Sequence, residues 1–285
     1  MSPRPFRFAL AVFAVAALTV APSTAQEAEG AAPATGPAAD AQPPEPGQEA
    51  DSSLTVDEIV SRHLEQRLPE KRVESVSAEG QLVFMGLQLP VKIVIARPRS
   101  SRVEADMAGT PMILAYDGES AWTVSPMQGF FEPEQLGEEA EESIALFADF
   151  IWGMLAERQD SGIEVELAGI ENVGNHSTYA LKLGGSVDRT LYLGGEDFLE
   201  HKLSLETVFL GQLQKIDALM ADYRDVDGLQ VPHDIQLLSS GAPLAQVVLS
   251  AVETNVEVDP KTFEMPPPPP PAPEAEGAAE PPGAR

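Results

Sequence analysis

The residues able to do chemistry are few, and their spacing offers them no common task. The four histidines, His63, His176, His201 and His233, form neither H-E-x-x-H nor H-x-H. The chain has no Cys, which removes thiolate zinc sites, iron–sulfur clusters, disulfides, a catalytic thiol and a lipidated N-terminal Cys. No G-x-S-x-G elbow, P-loop or G-x-G-x-x-G occurs. Asp225-Val226-Asp227-Gly228 begins like a calcium loop but lacks the remaining ligands and the closing Glu, so it reads as a hairpin turn. Asn175-His176-Ser177 is a formal glycosylation sequon in a turn. Acidic residues are everywhere, yet no spacing pairs two carboxylates for acid–base work. The expectation is a protein that is not an enzyme, with no metal and no cofactor. What stands out is a supply of soft apolar side chains, Phe84, Met85, Met107, Met112, Trp122, Met127, Phe130 and Phe131, suited to varied greasy ligands or to an ordinary core.

The elements that would position these residues show in the periodicity. Thr55 and Glu58 form a T-x-x-E capping box, and Val56, Ile59, Val60, His63, Leu64 and Arg67 follow at helical spacing until Pro69. His63, on that stripe, reads as a packed histidine rather than a ligand. From about residue 73 the period becomes two, as in Leu89, Val91, Ile93 and Ile95, in Ile163, Val165 and Leu167, and in Leu203, Leu205, Thr207 and Phe209. Turn signals such as Asp117-Gly118, Gly174-Asn175, Asp227-Gly228 and Ser240-Gly241 punctuate these runs. About eleven antiparallel strands are expected, without the alternation of a parallel α/β sheet. Residues 132–159 read as an acidic loop and a helix, with Ile144, Phe147, Ala148, Ile151, Met154 and Leu155 on one face. Several strands are apolar on both faces, which calls for a second layer or a sheet curled around a hollow.

The two ends differ from this core. Arg4 and Arg7, the apolar run Phe8 to Val20 and Ser23-Thr24-Ala25 read as a signal peptide over residues 1–25. Residues 26–53 form a Pro/Ala/acidic linker, and residues 266–285 a tail that opens with six consecutive prolines. A single domain over residues 54–265 remains. The net charge of −27 excludes a nucleic-acid partner and an anionic membrane surface. After signal removal no transmembrane segment is expected, and the mature chain reads as exported and soluble.

Taken in order, several short motifs resemble one family. They are Ala96-Arg97-Pro98, Arg102-Val103-Glu104, Tyr116-Asp117-Gly118-Glu119-Ser120-Ala121-Trp122, Ser125-Pro126, the stretch from Asp222 to His233, and Phe263-Glu264-Met265-Pro266. With the leading signal and amphipathic helix, this order resembles the LolA/LolB-type lipoprotein carriers and outer-membrane lipoprotein-sorting proteins over residues 54–266. The resemblance implies a mainly β (α+β) fold, a strongly curved, unclosed antiparallel sheet with helices packed as a lid in its concave face. It implies a periplasmic carrier, monomeric, that shields acyl chains of a lipoprotein or lipid. An inner-membrane donor complex and an outer-membrane acceptor are its candidate partners. Arg97 matches the arginine that latches the lid. Ile93, Ile95, Met107, Met112, Trp122, Phe147, Ile151 and Met154 are the cavity-lining candidates, with Trp122 also matching a strand position of structural character. The acidic arm and the proline-rich end depart from the family, and without Cys the chain is no lipid-anchored receptor. The same fold also serves as an envelope sensing module that binds a protein partner, the alternative function.

Overall fold

Helix α1, Val56–Arg67, begins where the sequence places its cap. The Thr55 hydroxyl accepts from the Glu58 N–H at 3.4 Å, while the Glu58 carboxylate accepts from the Thr55 N–H at 2.8 Å. Ile59, Val60, His63 and Arg67 form its buried side, and the chain turns extended at Leu68 before Pro69. The computed structural model describes residues 49–84, 86–137, 144, 148, 150–156, 163–184, 189–209 and 212–267.

Thirteen strands follow: β1 Ser75–Phe84, β2 Leu87–Ala96, β3 Ser100–Met107, β4 Thr110–Tyr116, β5 Ala121–Ser125, β6 Phe130–Gln135, β7 Val165–Val173, β8 His176–Leu183, β9 Arg189–Gly194, β10 Glu200–Phe209, β11 Gln212–Val226, β12 Leu229–Ser239 and β13 Ala242–Thr254. They form one antiparallel sheet in the order β6-β5-β4-β3-β2-β1-β13-β12-β11-β10-β9-β8-β7. Every neighbour except β1/β13 is a hairpin partner. The β1/β13 pairing (Leu82 opposite Val247) joins two meanders, and edge strands β6 and β7 leave the sheet open.

Among the described residues the count is thirteen rather than about eleven. β6 accounts for part of the difference: residues 132–135, expected in an acidic loop, are strand. Pro133 is tolerated there because β6 is an edge, where a missing N–H costs no ladder bond. A second correction concerns the linker. Ala50 is buried, its N–H donating to Ser177 Oγ at 3.0 Å, and the Tyr179 hydroxyl donates to the Asp51 carbonyl at 3.2 Å.

The register carries one apolar face across eleven strands, from β4 through β1 and β13 to β7, and turns polar at Thr123 and Glu134 on β5 and β6. Ile93 opposes Ala78 and Val103, Ile235 opposes Val247 and Met220, and Leu191 opposes Leu203 and Leu181. Two buried clusters cover this face. Helical residues Ala148, Ile151 and Trp152 pack on the half built from β1–β3, β12 and β13. Ile59 and Val60 of α1, with Met154 and Leu155, pack on the half built from β8–β12. Each fully buried Ile or Leu contributes roughly 1.5–3 kcal/mol.

Candidate functional site

The inner face is the candidate site, and its cover is held by two arginines. Arg67, at the last turn of α1, is completely buried. Its Nε donates to Glu200 Oε2 at 2.8 Å, Nη2 donates to the carbonyls of Phe150 and Ile151 at 3.0 Å each, and Nη1 donates to the carbonyl of Gln230. Helical carbonyls at a C-terminus lack intrahelical donors, and the guanidinium supplies them. One cation thus ties α1, β10 and β12 to the second helical segment, of which residues 144, 148 and 150–152 are described as helical.

Glu200 is the matching anion. It also accepts from the Tyr223 hydroxyl at 3.0 Å, and its Oε1 lies 3.4 Å from the Met154 N–H and 3.6 Å from His63 Nε2. Burial raises its pKa, but Arg67, His63 and Tyr223 together outweigh that and lower it to about 2. Burial and the Glu200 charge push the Tyr223 phenol well up, so it remains a donor. His63 Nδ1 lies 2.8 Å from the Phe198 carbonyl, which can only accept, so the ring donates there.

Arg97 reaches the same segment from the opposite half. Its Nε donates to the Val73 carbonyl at 2.9 Å, and its guanidinium lies 4.7 Å from the Trp152 ring centroid. The Arg97–Pro98 peptide is cis.

The apolar candidates divide. Ile93, Ile95 and Ile151 are buried in one cluster, with Met107 and Met112 half-buried against it. Met154 belongs to the neighbouring cluster. Phe147 lies outside the described residues. Trp122 is not with them: it pairs with Ala115, which pairs with Arg102, on the face opposite Ile93 and Val103. There its Nε1 donates to the Phe263 carbonyl at 2.7 Å, and Arg102 stacks on it at 5.4 Å. Trp122 anchors the C-terminal strap, residues 255–267 after β13, because strand alternation sends it outward.

Arg67, Glu200 and Tyr223 were missed by sequence reasoning. The available signal was the presence of Arg67 and His63 on an otherwise apolar stripe, since a buried cation requires an anion; nothing local identifies Glu200, 133 positions away. Among the described residues no three His, Asp or Glu converge as a metal site requires. A groove of about 570 Å³ lies on the outer face under the strap, but Lys92, Arg102, Glu104, Glu253, Glu257 and Asp259 line it, chemistry unsuited to acyl chains.

No family model matches the sequence, and no curated protein matches it. Solved structures do. A crystal structure of a LolA superfamily protein from Nitrosomonas europaea is similar with a TM-score of 0.51 at 16% identity, over 74% of this chain and 98% of that one. A DUF1329 family protein from Desulfovibrio piger is similar with a TM-score of 0.52 at 13% identity, over 72% of this chain and 94% of that one. The chain therefore has the fold of LolA-superfamily structures. No described helix is long and apolar enough to cross a membrane.

Proposed function

We propose that this protein is a periplasmic carrier that binds acyl chains of a lipoprotein or lipid between the inner face of its sheet and the helical cover. The observation that carries this is the apolar face that runs without a break over eleven strands, from β4 through β1 and β13 to β7, covered by α1 and the second helical segment. Laid flat, thirteen strands span about 58 Å, whereas α1 is about 18 Å long. Burial from Val103 in β3 to Leu181 in β8 beneath α1 and the described part of the second helical segment supports a sheet curled around them, the half-barrel that the sequence resemblance implies. The LolA-superfamily likeness supports the same reading.

Ile93 and Ile95 are packed against the cover, the arrangement of a closed state. Cargo would take the place of the second helical segment, with Arg67 and Arg97 as its latches; loading is then a population shift between closed and open forms. Residues 1–25 would be removed on export, residues 26–48 would tether, and the tail from 266 would space the domain from its surroundings.

A fluorescent fatty acid tests this directly. The wild type should bind it with saturable enhancement, competed by unlabelled lipid, and Ile93→Asp should abolish the signal. Saturable binding that survives both Ile93→Asp and Met112→Asp would place the ligand elsewhere. The packed inner face also suits the sensing alternative, in which a protein partner is bound and no acyl probe enters.

A further inference from the structure

We infer that the hairpin tips at one end of the sheet form an uncharged rim that docks on a neutral, zwitterionic lipid bilayer. The antiparallel order fixes which turns share an end. Phe84 opposes Leu87, Met107 opposes Thr110, Ser125 opposes Phe130 and Ser239 opposes Ala242, while Phe84 also opposes Ala245 across the β1/β13 pairing. The β1–β2, β3–β4, β5–β6 and β12–β13 turns therefore stand side by side along one rim.

Their composition is unlike that of the rest of the molecule. Residues 86–89, 107–112, 126–131 and 239–244 include no Asp, Glu, Lys or Arg. A protein surface is commonly 25–35% charged, so 22 such positions would ordinarily carry about six charges. The nearest are Asp106, whose carboxylate accepts from the Gly109 N–H at 2.7 Å, Glu132, and Lys215 of β11, whose carbonyl accepts from the Ser240 N–H at 2.8 Å. Phe131 is 73% exposed and Leu87 45% exposed. Just inside, Met107, Met112, Met127 and Leu244 are half-buried against the inner-face cluster, so apolar surface continues from the tips into the core.

The uncharged stretch ends along the same rim at β11 and β9, where Lys215 and Arg189 stand, and the opposite rim is charged along its length, with Arg97 and Arg99, Asp117 and Glu119, Glu196 and Asp197, and Asp225 and Asp227. A chain of net charge −27 is repelled by an anionic surface, and these four neighbouring turns are a stretch of its edge that carries no charged side chain. Isolated tips, each offering one or two apolar side chains, make no shape-matched groove for a protein. They do suit shallow insertion among lipid headgroups, where complementarity of shape is unnecessary. This surface stands on its own geometry, and would dock a sensor as well as a carrier.

The absence of Cys makes the test clean, because any introduced Cys is a unique labelling site. Full-length single-site variants Leu87→Cys, Phe131→Cys and Ala242→Cys on the rim, and Glu119→Cys and Glu196→Cys opposite, would carry an environment-sensitive fluorophore. Phosphatidylcholine vesicles are then added. The rim probes should blue-shift and brighten at least threefold while the opposite probes do not, and adding Leu87→Asp with Phe131→Asp should weaken the Ala242→Cys response at least tenfold. Because residues 8–20 are themselves apolar, the contrast between rims within the same chain is the readout. Equal responses at both rims, or none at the rim, would overturn the proposal, as would an unchanged affinity in the doubly charged variant. Docking is read at the rim probes and acyl-chain binding at the inner face with a monomeric fatty acid, so failure of the one leaves the other untouched.

Discussion

Arg67 places a full charge where no part of it is exposed, and its acceptors come from β10, β12 and the second helical segment. Removing one partner strands the other, which ordinarily costs about 3–5 kcal/mol, whereas replacing both with apolar groups costs far less. Arg67→Met alone should therefore lower the urea midpoint sharply, and Arg67→Met with Glu200→Leu should recover most of that loss. Additive losses would show that the pair does not act as a unit. The same carboxylate sets a pH dependence. Glu200 has its pKa lowered from 4.5 to about 2 in the folded state, so its contribution is fully present above about pH 4.5 and is lost as pH falls toward 2. The shift corresponds to roughly 3 kcal/mol. Urea midpoints between pH 6 and pH 3 should fall for the wild type, and Glu200→Gln should remove that part of the slope. An Arg97→Leu change removes the Val73 bond and the stacking on Trp152; it should leave the melting temperature within a few degrees while speeding release of a bound acyl probe. Unaltered release would remove Arg97 from the latch.

At the scale of elements, local signals marked what local physics determines. The Thr55/Glu58 box begins α1 where it was expected, and Thr55→Ala should cost about 1 kcal/mol, read by chemical denaturation. Asp117-Gly118 and Asp227-Gly228 are turns, the second closed by the Gly228 N–H donating to Asp225 Oδ1 at 3.1 Å. Long-range pairing had no such signal. The register shift between Glu79 and Gly80 brings the backbone of β13 so close that a side chain at Gly80 would overlap the Val248 carbonyl. Gly80→Ala should cost about 1–3 kcal/mol or more, measured as a lowered melting temperature. Strand β6 escaped notice because Glu132-Pro133-Glu134 looks like a loop unless an edge position is known. Trp122 was misassigned for a similar reason: its composition suits a cavity, but only the register through Ala115 to Arg102 reveals which face it occupies.

For the whole molecule, the apolar face was legible as alternation in individual strands, and its continuity over eleven of them was not, because β1 meets β13 only in three dimensions. That continuity is the feature on which the proposed carrier rests. Native mass spectrometry of the protein, purified gently from the soluble envelope fraction of the exporting cell, tests it most directly. Bound masses released as phospholipid or acylated peptide, at one cargo per chain, are the result expected of a carrier. A clean unliganded mass that takes up no lipid from added vesicles would contradict it.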